Sequence, residues 1–255
     1  MNEGIKKAID IIVWWIPFRK LRDSVRTLLE YHYGYIEHIS HLSSVSANFI
    51  TLALDKLDIE DLHFPLPSIP DEYKRMTIIK YAQKYNCKIG IETGTYYGDT
   101  TYFCKDYFDK FYTIELSPLF FNKALDRFKN YDNIITLQGD SATVLPELLE
   151  EINDKAIFWL DGHYCGDNIT AIGKKETPIM EELACIFNHK IKDHIILIDD
   201  ARCFGTWKDY PSIKELEEYV KSFDKDIEFC IKNDIIRIVT RQDKTRQDKT
   251  RPCNI

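Results

Sequence analysis

From Asp71 to Thr240 the chain alternates between solid apolar runs and stretches whose apolar positions recur at helical spacing. The runs are Lys88–Glu92, Lys110–Glu115, Ile134–Gln138, Ala156–Leu160 and His194–Ile198. They predict strands, and Ala156–Leu160 is apolar throughout, as expected of a parallel strand covered on both faces. Between and around them the spacing predicts helices over Asp71–Tyr85, Thr100–Phe108, Ser117–Lys129, Ser141–Glu151, Thr177–His189 and Ser212–Phe223. Several carry start signals: Ser117 as cap with Pro118 in the first turn, Thr177-Pro178, and Ser212 with Glu215 as a capping box. The end of the pattern differs. Asp226–Ile231 and Ile235–Thr240 are β-rich runs joined by Lys232-Asn233-Asp234, which predicts a hairpin rather than a helical crossover. The expected class is therefore α/β, with five parallel-type strands followed by an antiparallel pair.

The pattern sets expected boundaries at 1–70, 71–240 and 241–255. Phe64-Pro-Leu-Pro-Ser-Ile-Pro70 reads as a rigid connector closing an N-terminal helical extension. In that extension Lys6, Lys7, Arg19, Lys20, Arg22 and Arg26 surround Trp14-Trp15, and Pro17 breaks or kinks the helix. Two readings stand. The stripe packs on the main domain or on a second subunit as a homo-oligomer contact, or it lies in a membrane interface. His32, His38 and His41 have no acidic or cysteine partner nearby and read as surface or packing residues. The tail repeats Thr-Arg-Gln-Asp-Lys from Thr240 and again from Thr245, and reads as a polar, disordered extension.

Composition narrows the function classes. With 44% hydrophobic and 13% aromatic residues the 255-residue chain can bury a large core. A net charge of −7 argues against a general nucleic-acid binder. The seven cysteines are scattered, with no Cys-x-x-Cys, and read as free thiols in a reducing cytoplasm. The run Ile11–Phe18 is far short of the roughly 20 residues a membrane span needs. The expected location is cytoplasmic, with peripheral contact at the inner membrane face under the interfacial reading.

The chemistry gathers after the strands. Glu92-x-Gly94-x-x-x-Gly98 is a glycine turn between strand and helix, neither a dinucleotide fingerprint nor a P-loop. It suits close backbone approach of a nucleotide-like ligand, or simply a tight strand–helix turn. The other strands also end in polar chemistry, at Glu115, Asp140-Ser141, Asp161 and Asp199-Asp200. In an open parallel sheet ligands bind at the carboxyl ends of the strands. Glu115 can accept the two hydroxyls of a ribose, and Asp140 can reach a base amino group, although either can serve as a turn or cap residue. Asp161, Asp199 and Asp200 converge without an obvious counter-charge, a cost that a divalent ion such as Mg²⁺ removes. Alternatively, Asp199 or Asp200 caps a turn or pairs with Arg202. His163 is positioned to act as general base or to orient a ligand, ahead of Tyr164, Lys174 and Lys175. The loop from Gly162 to Glu176, with Gly166 and Gly173, reads as a substrate lid.

Together these residues resemble the class I S-adenosylmethionine-dependent methyltransferases over about Lys88 to Thr240. The resemblance implies a Rossmann-like, seven-stranded sheet of order 3-2-1-4-5-7-6. It implies a cofactor site in which Glu92, Thr93, Gly94, Thr95, Tyr96, Gly98 and Thr100 hold the methionine part. Glu115 and Leu116 would then meet the ribose, and Asp140 and Ser141 the adenine side, with Asp161 closing the site. Asp161 with Asp199-Asp200 is similar to the metal site of cation-dependent O-methyltransferases, with one departure: catechol enzymes have Asp-Asn where this chain has Asp199-Asp200. Phe158–Tyr164 with Ile198–Arg202 resembles bacterial methyltransferase-like proteins found with surface-polysaccharide genes, and Trp14–Arg22 resembles segments of capsule and lipopolysaccharide enzymes. The expected activity is thus divalent-cation-assisted O-methylation of a sugar or related small-molecule or glycan acceptor, with Asp161 and His163 as catalytic groups. The rivals are a nucleotide-sugar enzyme or glycosyltransferase, and a non-catalytic membrane-associated scaffold.

Overall fold

The computed structural model describes residues 71–162 and 177–240. The N-terminal extension, the Pro-rich connector, the repeated tail, and His163, Tyr164, Lys174 and Lys175 lie outside the described residues. The chain divides into two compact units after Met76, and all the described strands lie in the second.

The described elements are α1 (Asp71–Lys84), β1 (Ile89–Thr93), α2 (Asp99–Cys104), β2 (Lys110–Glu115), α3 (Pro118–Phe128), β3 (Ile134–Gln138), α4 (Ser141–Glu151), β4 (Ala156–Leu160), α5 (Ile179–Asn188), β5 (Ile195–Ile198), α6 (Ile213–Phe223), β6 (Glu228–Lys232) and β7 (Ile235–Val239). The strands form one seven-stranded sheet of order β3-β2-β1-β4-β5-β7-β6. The first five are parallel, and β7 runs antiparallel to both β5 and β6. This is the expected architecture. Strand order reverses between β1 and β4, so a crevice opens at their carboxyl ends.

Packing explains the strand patterns. Every residue of β4, β5 and β7 is buried, because these strands lie inside the sheet. One core cluster joins Ile91, Phe158 and Ile196 of the sheet to Leu145 and Leu149 of α4, Leu183 of α5 and Leu216 of α6. The predicted hairpin forms with Asn233 at φ 47° and Asp234 at φ 62°, the left-handed pair a two-residue turn needs.

Local chemistry changes two of the expected helix ends. The helix expected to reach Phe108 stops at Cys104 and passes into a 3₁₀ turn, Lys105–Tyr107. The Asn133 amide donates to the carbonyls of Lys105 and Phe108 at 2.8 and 3.2 Å, replacing the bonds a continued helix would make. Ser117 sits at the start of α3 without a side-chain cap bond, whereas Ser212 and Glu215 form the expected capping box. Among the described residues no helix is long and apolar enough to cross a membrane.

At the amino edge of the sheet two buried histidines are coupled. The amide of Ala156 donates to His194 Nδ1 at 3.1 Å, so the neutral ring carries its proton on Nε2 and donates it to His189 Nδ1 at 2.8 Å. Burial, reinforced by His189, pulls the His194 pKa from 6.5 down to about 4. Neighbouring Lys192 pushes the same way and Asp193 opposes it. His189 is lowered too, chiefly by burial. Because the folded pKa is depressed, the unfolded chain binds the extra proton first, and stability is lost as pH falls from 6.5 towards 4. Urea unfolding across that window is expected to lose up to about 3 kcal/mol through His194. The His194 ring resonances are expected to stay in their neutral form down to about pH 4.

Candidate cofactor and acceptor site

The site begins with a buried carboxylate. Glu92, in β1, is 1% exposed and lies in register with Thr113 of β2. Its Oε2 accepts from the hydroxyl of Thr113 at 2.7 Å and from that of Thr101 in α2. The hydroxyls of Thr95 and Thr113 are also in contact. Glu92 therefore ties two strands and the next helix together beneath the glycine turn. Thr93, Thr95 and Gly98 are buried in the same turn, and Thr100 is half-buried in the first turn of α2.

The turn is pressed onto the neighbouring strand end. The amide of Gly94 donates to the Ile114 carbonyl and that of Asp161 to the Thr93 carbonyl, so the ladder runs one step past β1 and β4. Gly94 has φ 88°, and a Cβ there would lie 2.4 Å from the Asp161 carbonyl oxygen. Gly98 has φ 77°, with Phe128 of α3 closing the space a side chain would need. Tyr96 is a bulky residue at φ 49°, a costly conformation. It is held by its amide, 2.8 Å from Glu115 Oε2, and by its ring against Phe120. Arg127 of α3 grips the end of the turn through the Tyr97 carbonyl and Asp99.

Glu115, at the tip of β2, is clamped from both sides. Oε2 accepts from the Tyr96 amide and Oε1 from the Ser117 amide, each at 2.8 Å. Two backbone donors orient the carboxylate and leave it lone pairs for a vicinal diol. Half-buried Leu116 comes next in the chain. Asp140 is the N-cap of α4, its Oδ1 accepting from Ala142 N at 3.1 Å, and Ser141 is buried behind it. One Asp140 oxygen thus serves the helix, and the carboxylate keeps capacity for a ligand amino group.

On the other side of the crevice, Asp161 and Asp199 each come directly after a residue of the Leu160–Ile198 register pair. Asp199 is buried, and its Oδ1 accepts from the Asp200 amide at 2.7 Å. Asp200 stands at φ 54° and its Oδ1 accepts from Arg202 Nη1 at 2.6 Å. Arg202 also bonds Asp234 in the β6–β7 turn. The cation reading does not fit this arrangement: Asp200 already has a guanidinium partner. Among the described residues no group of three His, Cys, Asp or Glu is set to hold a metal. Sequence reasoning named Arg202 only as an alternative partner and missed Asp234, Thr101, Thr113 and Arg127. Asp234 reads from sequence only as a hairpin residue, and Thr101, Thr113 and Arg127 stand at no strand end or motif, so only the folded contacts expose these roles.

No protein-family model matches the chain, and no curated protein sequence does. Solved structures do. An O-methyltransferase, TomG, from Streptomyces achromogenes, involved in tomaymycin synthesis and solved in complex with SAM, is 13% identical, with TM-score 0.50 over 82% of this chain and 95% of that one. The SAH-bound methyltransferase PaMTH1 of Podospora anserina is 15% identical over 89% and 98% of the two chains, with TM-score 0.49. An O-methyltransferase from Bacillus cereus, in complex with SAH, is 12% identical over 81% and 96%, with TM-score 0.48. The sheet order and the TomG likeness define the Rossmann-like methyltransferase fold.

Gly94→Ala is expected to cost roughly 2–4 kcal/mol, since it combines a positive φ with an overlap on backbone that cannot move aside. Chemical denaturation of the variant against wild type measures it, and unchanged stability would contradict the close approach of β1 and β4.

Proposed function

We propose that the chain is an S-adenosylmethionine-dependent methyltransferase, acting on an oxygen of a sugar or related glycan acceptor in surface-polysaccharide or glycoconjugate assembly. The observation that carries the cofactor reading is Glu115: a carboxylate beside a glycine turn at the topological switch point, oriented by the amides of Tyr96 and Ser117. That arrangement fits the two hydroxyls of a ribose. The TomG likeness, at the level of fold, is consistent with it. The cofactor supplies an electrophilic methyl group on a sulfonium.

In this reading the chain's own residues do four things. The backbone of Gly94 to Gly98 approaches the methionine part, on a path that Gly94 and Gly98 allow because a Cβ would strike the Asp161 carbonyl at the first and the Phe128 ring at the second. Glu115 accepts from the ribose hydroxyls, and Asp140 from the adenine amino group. Asp161 closes the crevice next to Gly94. Asp161 or His163 would take the proton of the acceptor hydroxyl, and the cofactor, when bound, would supply the methyl group to that oxygen and leave as the neutral thioether. Proximity and alignment supply most of the rate, since a sulfonium methyl needs little further activation. The sugar preference rests on the resemblance of Phe158–Tyr164 and Ile198–Arg202 to methyltransferase-like proteins of polysaccharide loci. Contact of the N-terminal tryptophan-rich segment with the membrane's inner face belongs to the same proposal.

Calorimetric titration of S-adenosylmethionine is expected to show binding to wild type and a loss of about 2 kcal/mol or more for Glu115→Ala, which removes charge-assisted bonds to a buried diol. Heatless titration of wild type would refute the cofactor assignment. Incubation with the cofactor and a panel of sugars, read by mass spectrometry for the gain of one methyl, tests the acceptor class separately.

A further inference from the structure

Beyond β5 the chain makes a construction that neither the sheet nor the proposed cofactor site requires. Asp200 adopts a left-handed conformation and leads into a 3₁₀ turn, Ala201–Cys203. Arg202 then bridges two carboxylates from separate elements, with Nη1 bonded to Asp200 Oδ1 at 2.6 Å and to Asp234 Oδ2. Asp234 belongs to the β6–β7 turn and its side chain is 1% exposed. That turn is already pinned without the guanidinium. The Ala201 amide donates to the Asp234 carbonyl at 2.9 Å, and the Arg202 amide donates to Asp234 Oδ1 at 2.8 Å. What the guanidinium adds is a positive charge bonded to Asp200, at the edge where Asp161 and Asp199 also lie.

Carboxylates as little exposed as those of Asp200 and Asp234, at 14% and 1%, are held by a counter-charge. A magnesium-type ion needs carboxylate oxygens at about 2 Å in near-ideal octahedral array. Asp200 Oδ1 is instead engaged by a donor that carries its own charge, and a dication at the same carboxylate would meet like-charge repulsion from it. The Arg202 pKa responds accordingly: burial pulls it down, but the charges of Asp200 and Asp234 outweigh burial and hold it above the ordinary guanidinium value. Arg202 thus stays charged at every working pH. Its side chain is 38% exposed, and both of its guanidinium bonds to Asp200 and Asp234 run through Nη1.

We propose that Arg202 is the resident cation of the acceptor edge. It is bonded to Asp200, one of the three acids whose pattern resembles the metal site of cation-dependent O-methyltransferases, and its remaining N–H groups bind the oxygens of a hydroxyl-bearing acceptor. The inference rests on reading this edge as the acceptor side of the proposed methyltransferase. The edge then runs on a fixed, planar, non-exchangeable charge, which binds oxygen pairs by hydrogen bonding rather than by coordination.

The test is Mn²⁺ binding to the full chain, followed by electron paramagnetic resonance. Wild type is expected to show no binding below millimolar Mn²⁺. The double variant Arg202→Met/Asp234→Asn, which removes the guanidinium without leaving the Asp234 carboxylate buried and unpaired, is expected to bind Mn²⁺ about tenfold tighter or more, and adding Asp199→Asn is expected to abolish that gain. Micromolar binding by wild type overturns the proposal, whether or not the variant folds. So does a double variant with native circular dichroism and no gain. A purely structural role for Arg202 would move the melting temperature and leave Mn²⁺ affinity unchanged. Titrating S-adenosylmethionine into the same preparations separates the two readings: expected Mn²⁺ behaviour without cofactor binding sinks the methyltransferase assignment alone.

Discussion

The Glu92 carboxylate is the constraint on which the rest of the crevice depends. Burying an ionised carboxylate is costly unless donors surround it. Here the donors come from elements distant in sequence, Thr113 on β2 and Thr101 on α2. A bond to a charged acceptor contributes roughly 1.5–3 kcal/mol when formed and costs at least as much when broken in the interior. The carboxylate is therefore comfortable only when β1, β2 and α2 are in their native places. The glycine turn spans the gap between β1 and α2, so its path is set from below. From there the ladder bonds of Gly94 and Asp161 bring the turn close to β4, and Glu115 with Phe120 holds Tyr96 at its positive φ.

From this base the two halves of the crevice differ in how they hold charge. On the β2–β3 side each carboxylate is oriented by backbone amides: Glu115 by Tyr96 and Ser117, Asp140 by Ala142. Such donors direct a carboxylate without cancelling its charge, which suits hydroxyls and amino groups as ligands. On the β5–β7 side Asp200 and Asp234 meet a full positive charge in Arg202. The first arrangement presents acceptors to a ligand. The second neutralises acid and offers donors. A reaction joining a cofactor on one side to a hydroxyl-bearing acceptor on the other would meet both.

Away from the crevice, the opposite edge of the sheet holds the buried histidine pair, whose pKa values burial lowers. His194 holds the Ala156 amide at the start of β4, and its ring packs edge-on against Phe158. The same strand is followed at its far end by Asp161, so the histidine pair and the site share β4.

Much of this was legible in the chain itself. The alternation of apolar runs and helical stretches located every described strand, and the turn residues Asn233-Asp234 marked the antiparallel end, because side-chain periodicity and left-handed turn preferences are local properties. The positions of Glu92, Glu115, Asp140, Asp161 and Asp199 came from one rule, that parallel strands deliver their last residues to one edge. What the chain alone left open was which partner each acid would take. Asp200 had Arg202 two residues away, Asp199 beside it and Asp161 after the neighbouring strand β4, and sequence distance does not rank them. Only the packing of the β6–β7 turn against the end of β5, bringing Asp234 to Arg202, decided for the guanidinium. Sequence determined where the charges would gather, because strand direction is set by local pattern. Tertiary structure decided how they are balanced, because hydrogen bonds and ion pairs depend on distances that only the folded sheet defines.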